Sequence, residues 1–135
     1  NQRTFEIPAP PVRLVGDLTV PQDAGGLALL DLLTPEEELD RANVFAIELL
    51  SRGSRRIALS ELHPQTAGLP GGYFGASTGA TAALCAAATL GDSVAAVVSR
   101  GGRPDLAGDC LERVRAPTLL IVGGADPTVL ALNEQ

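Results

Sequence analysis

The sequence predicts an α/β protein with a mostly parallel sheet and helices on both faces of that sheet. Short apolar segments alternate with helix-like segments along the chain, which is typical of parallel strands joined by helical crossovers. Residues 27–33 and 118–122 are near-continuous apolar runs, as expected of strands covered on both faces. A length of 135 residues with 45% hydrophobic residues fits one globular domain, residues 1–135.

The first half of the chain is predicted to contain three strands followed by a helix. Residues 4–7 and 12–20 form the first two strands, and 27–33 forms the third. Thr34, with Glu37 three residues later, forms a capping-box pattern, and Pro35 suits the first helical position. The predicted helix continues to about residue 62, with Gly53 interrupting or bending it. Its apolar face would consist of Leu39, Ala42, Ala46, Leu49 and Leu50.

The second half is predicted to alternate strands and helices more regularly. A short apolar stretch, 69–74, precedes an Ala-rich helix over residues 81–90. The remaining elements are a strand at 94–98, a glycine-rich basic loop at 99–105, a helix at 106–114, a strand at 118–122 and a loop at 123–127.

The most informative motif is Gly-Ala-Ser-Thr-Gly at residues 75–79, a G-x-S-x-G between a predicted strand and a predicted helix. Such a turn is so sharp that Gly75 and Gly79 are expected to be required for space. Ser77 would then stand exposed at the carboxyl edge of the sheet, where the helix N-terminus favours a developing negative charge. Two alternatives remain: a tight turn without chemistry, and a phosphate-binding loop, although neither the P-loop nor the Rossmann glycine pattern is matched.

Composition excludes several classes of partner. The net charge of −6 argues against nucleic acid and anionic membranes, and no apolar run approaches the about 20 residues of a membrane span. Cys85 and Cys110, with a single His in the chain, form no metal-ligand cluster. We therefore expect no metal and no cofactor, and we interpret the cysteines as free thiols in a reducing cytoplasm.

The strand, G-x-S-x-G turn, helix and later Gly-Gly-x-Asp loop together resemble the α/β-hydrolase superfamily, and in particular small dienelactone-hydrolase-like enzymes. Modules of this kind are sometimes fused to a phosphoribosyltransferase domain. The resemblance implies that Ser77 is the nucleophile, that Asp126 is the acid of a triad, and that the Thr78 N–H is an oxyanion donor. Dienelactone hydrolases typically have Cys at the nucleophile position, so Ser77 favours ordinary hydrolysis of small carboxylic esters or lactones.

Two parts of that family pattern are absent from the sequence. No His follows Asp126, and His63 is predicted at the opposite edge of the sheet, roughly 17 Å from Ser77 at about 3.3 Å per residue. The strand that carries the second oxyanion donor is also absent, since Asp23–Gly26 runs directly into 27–33. Together with the lack of any Met and a last segment resembling mid-helix, this predicts a chain lacking one central strand, near residues 25–28, and a C-terminal segment.

Arg100 and Arg103 lie in the loop at the same predicted sheet edge as Ser77. They would either bind a substrate carboxylate or pair with Asp105 and Asp109, and structural pairing is the favoured interpretation. The favoured function is a cytoplasmic serine hydrolase. The alternatives are a non-catalytic binding module that kept the turn without a base and, third, a nucleotide-binding domain.

Overall fold

The computed structural model describes residues 2–20, 26–56 and 64–134, and the architecture is α/β as predicted. The strands are β1 (Gln2–Ala9), β2 (Val12–Thr19), β3 (Leu27–Leu30), β4 (Gly71–Ala76), β5 (Val94–Arg100) and β6 (Thr118–Ile121). The α-helices are α1 (Ile47–Arg56), α2 (Thr78–Leu90) and α3 (Pro127–Asn133). Short 3₁₀ segments lie at Glu37–Leu39, Arg41–Phe45, Pro64–Thr66, Gly91–Ser93 and Pro104–Arg113.

The strands form two three-stranded sheets. In the first, β2 lies between β1 and β3, and both pairings are antiparallel. In the second, β5 lies between β4 and β6, and both pairings are parallel. The parallel pairing expected from the alternating pattern is therefore found only in the second of these two sheets, which carries the G-x-S-x-G turn.

Residues that flank β3 lie close to residues that flank β4. A Cβ on Gly26, just before β3, would come within 2.7 Å of the Thr66 side chain, which precedes β4. Past the other end of β3, Leu32 lies 3.8 Å from the position a Cβ would take on Gly79. Within the described ranges no ladder joins β3 to β4, so β4 pairs with β5 alone. This arrangement agrees with the predicted lack of a strand beside the one that precedes Ser77.

The core is built around α2, whose alanines allow close approach of its neighbours. Ala80, Ala82, Ala86 and Ala87 have no exposed surface, and α2 packs against β4, β5 and α1. The buried cluster around the helix consists of Ala83, Leu84, Ala87, Val94, Val97 and Ala116.

Two contacts fix α1 against the strands. The Tyr73 hydroxyl of β4 donates a hydrogen bond to the Ser54 carbonyl of α1, and burial raises the pKa of Tyr73 to about 12. Gly53 lies inside α1, and a Cβ there would come within 2.3 Å of the Leu14 side chain. Of the interruption or bend expected at Gly53, the interruption is wrong, because α1 continues through this residue to Arg56. The glycine allows a close helix–strand contact.

The capping box forms, but the helix predicted after it does not begin there. Thr34 N–H donates to Glu37 Oε2 at 2.9 Å, and Glu37 N–H donates to Thr34 Oγ1 at 3.3 Å. Two 3₁₀ turns follow, separated at Asp40, whose backbone is extended and whose carboxylate accepts from Ala42 N–H. This local side-chain bond competes with helix formation. Leu39 is therefore 85% exposed rather than on an apolar helix face, and α1 begins at Ile47.

Other boundaries and burial patterns also differ from the prediction. Leu27 and Leu29 of β3 and all of β6 are exposed, because none of the described helices packs extensively against either strand. The predicted helix at 106–114 is a 3₁₀ segment kinked at Gly108, which has a φ of +51°. The predicted helical stretch at 57–62, and His63, lie outside the described residues.

The Glu37–Arg52 ion pair predicts a pH-dependent stability. The hydrogen bond from Arg52, 2.6 Å from Glu37 Oε2, lowers the pKa of Glu37. A carboxyl group whose pKa is lower in the folded state than in the unfolded state stabilises the fold at pH values above its unfolded-state pKa. That contribution is lost as the pH falls through the folded-state pKa. Glu37→Gln should therefore lower the free energy of unfolding at pH 7 by about 1–2 kcal/mol, and by much less in acid. Urea unfolding at both pH values tests this, with Glu38→Gln as the exposed control.

Candidate active site

Ser77 occupies a strained turn between β4 and α2, as predicted. Its backbone has φ +52° and ψ −128°, and among the described residues it is the one non-glycine with positive φ. Such a conformation costs about 1–3 kcal/mol and persists only when the surroundings impose it. Here Ser77 N–H donates to the Arg100 carbonyl at 3.1 Å, and Ala80 N–H donates to the Ser77 carbonyl at 3.1 Å. The serine is thereby held exposed at the carboxyl end of β4.

The two glycines of the motif differ in what they do. A Cβ on Gly75 would lie 2.5 Å from Ala80 Cα and 2.6 Å from the Gly79 carbonyl oxygen, so no side chain fits there. A Cβ on Gly79 would meet only Leu32, at 3.8 Å, which is an ordinary contact. The prediction of a steric requirement is confirmed for Gly75 and wrong for Gly79, because Gly79 already lies in α2 and faces the looser contact with Leu32.

The N-terminus of α2 supplies the positive end of a helix beside Ser77. Thr78 is the first residue of the helix and is buried. The first N–H groups of a helix have no acceptor within it, and they carry partial positive charge. The Thr78 N–H is therefore placed next to the serine hydroxyl as the sequence predicted, and its role as an oxyanion donor stays a prediction.

An open cleft of about 430 Å³ lies over this turn. Ser77 lines it together with the last residues of β5 and β6 and the residues that follow them at the same sheet edge. Sequence reasoning did not single out the apolar part of this lining, although its position directly after β6 was the available signal. The lining residues are Ala76, Ser77, Arg100, Gly101, Ile121, Val122 and Gly123.

Asp126 follows β6 and caps α3. Its Oδ1 accepts a hydrogen bond from Val129 N–H at 3.0 Å, and its own N–H donates to the Gly123 carbonyl at 3.2 Å. Because β4, β5 and β6 are parallel neighbours, Ser77 and Asp126 follow strands that end at the same sheet edge. The second carboxylate oxygen of Asp126 has no bond to any other described residue.

The two arginines of the neighbouring loop have different surroundings. Arg103 pairs with Asp105 through Nε–Oδ1 at 2.8 Å and Nη2–Oδ2 at 2.7 Å, and the guanidinium lowers the pKa of Asp105. This is the structural pairing that the sequence analysis favoured. Arg100 lines the cleft beside Ser77, and within the described part of the chain its guanidinium makes no ion pair.

A solved structure connects this geometry to known proteins. Dienelactone hydrolase from Anabaena variabilis is 39% identical to this chain and superposes with a TM-score of 0.88, over 99% of this chain and 78% of that one. The chain belongs to the dienelactone hydrolase family. A second structure, of a protein designated m3DLH, is 19% identical with a TM-score of 0.65 over 94% of this chain and 70% of that one, which supports the fold alone.

Curated relatives of this dienelactone hydrolase family member carry a different name. Proteins of two Mycobacterium tuberculosis strains, CDC 1551 / Oshkosh and H37Rv, are 50% identical to 96% of this chain, and both are named "Putative phosphoribosyl transferase". The chain spans about a third of their length (36%). The match extends over 163 positions, more than the 135 residues present here, so these relatives have residues within the matched region that this chain lacks. No protein-family model matches the chain.

The described residues offer neither a metal site nor a membrane-spanning helix. Among the described residues, no group of His, Cys, Asp and Glu side chains is arranged to hold a metal ion. Within the same ranges, none of the helices combines the length and the apolar character needed to cross a bilayer.

Proposed function

We propose that this chain forms the nucleophile-bearing core of a serine hydrolase that cleaves small carboxylic esters or lactones in the cytoplasm. The observation that carries the proposal is the positive φ of Ser77, in a turn where Gly75 leaves no room for a side chain. Ser77 lines the cleft at the N-terminus of α2. A buried or relaxed serine would have no need for this strain, whereas a nucleophile that must project from a sheet edge does.

The proposed reaction proceeds through an acyl-enzyme. The Ser77 oxygen attacks the substrate carbonyl carbon while its proton passes to a histidine base, and the carbonyl oxygen becomes an oxyanion beside the Thr78 N–H. The alcohol then leaves with the proton from that histidine, and water releases the acid by the reverse sequence. The base has to come from outside the described residues, which contain no histidine.

Asp126 is the proposed partner of that base. Its Oδ1 is held by Val129 N–H, so the helix cap orients the carboxylate and leaves Oδ2 to accept from an imidazole N–H. The cap and the catalytic role are separable, because Asn is also a good N-cap residue but carries no charge.

We therefore expect Asp126→Asn to keep the stability of the fold and to lower kcat by about 10²–10⁴-fold. Asp126→Ala should lower kcat similarly and also cost about 1 kcal/mol of unfolding free energy, because it removes the cap. Ester hydrolysis and urea unfolding of both variants are the measurements. If Asp126→Asn hydrolyses esters at the unmodified rate, Asp126 is only a turn residue.

Substrate recognition is proposed to involve Arg100 rather than Arg103. The Arg100 guanidinium has no ion-pair partner in the described part and lines the cleft, whereas that of Arg103 is held by both oxygens of Asp105. An arginine beside the nucleophile suits a substrate that carries a carboxylate.

The transferase name of the mycobacterial relatives is proposed to refer to the part of those proteins that this chain does not match. The matched region is about a third of their length, and its glycine-rich turn follows the nucleophile pattern rather than a phosphate-binding one. On this proposal, the hydrolase-like region and the transferase are separate modules of one protein.

The function is tested by following product release from a panel of aryl esters and small lactones, using the full-length protein that contains this chain. We expect saturable turnover of at least one small ester. Saturable binding of esters or carboxylic acids without turnover would instead support the binding-module alternative.

A further inference from the structure

Segment 100–103, which contains the last residue of β5 and the loop that follows it, is hydrogen-bonded to the nucleophile turn and to α2. The Arg100 carbonyl accepts from Ser77 N–H at 3.1 Å, and the Arg103 carbonyl accepts from Thr81 Oγ1 at 2.7 Å. Thr81 has no exposed surface, so the second bond is shielded from water. Segment 100–103 is therefore fixed to the helix that begins after Ser77.

Gly102 of the same segment binds α3 instead. Its carbonyl accepts from Asn133 Nδ2 at 3.0 Å, and the same nitrogen donates to the Val129 carbonyl of α3 at 2.8 Å. Gly102 is buried, and a Cβ there would overlap Ser99 Oγ and lie 2.9 Å from Ala80 Cβ of α2. Because β5 and α2 confine this glycine, its carbonyl is a fixed point to which Asn133 attaches α3.

α3 is otherwise loosely attached in the part of the chain that is described. It is seven residues long, and none of these residues is buried. Helices this short are marginal in water when nothing else holds them. Asp126 caps the first turn by accepting from Val129 N–H, and Asn133 in the last turn makes the one hydrogen bond from α3 to the chain before β6. The position of Asp126 relative to segment 100–103 therefore depends on Asn133.

From these contacts we infer that Asn133 is a positioning residue, which fastens α3 to Gly102 and thereby sets where the Asp126 carboxylate stands relative to Ser77. This role rests on the proposed function, in which Asp126 orients the histidine base. Such a group has to be held within about 0.5 Å of its productive position, and a displacement of about 1 Å can lower a rate by about 100-fold. Asn133 does not line the Ser77 cleft, so its effect on the reaction is expected to pass through Asp126.

Asn133→Leu in the full-length protein is the first test, because it removes the amide donor and keeps a side chain of similar size. We expect it to lower kcat for a small ester by about 10–100-fold, with KM changed by less than about threefold. Asn133→Ala should have the same effect without adding apolar bulk. Glu134→Gln, an exposed change next to the same helix end, should leave both constants within about twofold.

A double-mutant cycle with Asp126→Asn separates positioning from a general loss of stability. Once the carboxylate is gone, its placement no longer matters, so adding Asn133→Leu should lower kcat further by less than about threefold. A merely structural residue would lower kcat by the same factor in both backgrounds. That result would overturn the inference, and so would an unchanged kcat in Asn133→Leu.

Amide hydrogen exchange gives a readout that does not depend on turnover. Peptides covering residues 126–133 should exchange about three- to tenfold faster in Asn133→Leu than in the unmodified protein, while peptides of α2 keep their rates. Equal exchange in the two proteins would overturn the inference whatever the kinetics. Absence of ester turnover by the unmodified protein would instead overturn the proposed function, and with it the role of Asn133 in catalysis; faster exchange would then show only the attachment of α3.

Discussion

Replacing Ser77 by Ala is expected to lower kcat/KM for small esters by about four orders of magnitude or more. The serine oxygen is the atom proposed to form the acyl-enzyme, and no other group lining the cleft is a nucleophile of comparable reactivity among the described residues. The fold should be unaffected, because Ser77 is exposed and its backbone bonds to Arg100 and Ala80 do not use the side chain. Steady-state hydrolysis and thermal unfolding of the variant are the measurements.

Ser93→Ala is the matched control. Ser93 is also exposed, but it lies beyond the C-terminal end of α2, away from the cleft. This change should leave kcat/KM within about twofold, as surface substitutions usually do. Equal losses from the two substitutions, or an active Ser77→Ala protein, would contradict the assignment of Ser77.

Replacing Gly75 by Ala is the substitution with the largest expected effect on the fold. The added methyl would lie 2.5 Å from Ala80 Cα, 2.6 Å from the Gly79 carbonyl oxygen and 2.7 Å from Ala80 N, all backbone atoms of α2. Backbone cannot move aside as a flexible side chain can, so the helix must shift away from β4. We expect a loss of about 3 kcal/mol or more of unfolding free energy, measured by urea unfolding.

We also expect Gly75→Ala to lose ester hydrolysis at temperatures where it is still folded, because the turn that presents Ser77 cannot keep its geometry. Gly124→Ala is the control. Gly124 follows β6, has no atom within 4 Å of the added Cβ and does not line the cleft, so stability should be unchanged or slightly higher. A stable Gly75→Ala protein with full activity would show that the turn is not rigidly required.

The features that the sequence predicted correctly are those set by short-range patterns. The strained turn at Ser77 follows from glycines and a serine within five residues, and the Thr34–Glu37 capping box from a spacing of three. The shared edge of Ser77 and Asp126 followed from counting strands, because parallel neighbours end on the same side. The pairing of Arg103 with Asp105 was foreseeable because the two residues are only two positions apart.

The errors concern what packs against what. A pattern scan cannot show that the Asp40 carboxylate binds Ala42 N–H and delays the helix to Ile47. Nor can it show that Gly53 makes room for Leu14, a residue almost forty positions earlier. The exposure of Leu27, Leu29 and β6 depends on which elements cover them, and hydrophobicity alone does not reveal that.

The most direct test of the central claim, that Ser77 is an activated nucleophile, is labelling with a fluorophosphonate followed by peptide mass spectrometry. The full-length protein is treated with a reporter-bearing probe, and the modified residue is located by fragmentation. We expect a single adduct on the peptide containing Ser77, its loss in Ser77→Ala, and its persistence in Ser93→Ala. Ester turnover by a protein that carries no label at Ser77, or that is labelled at another serine, would contradict it.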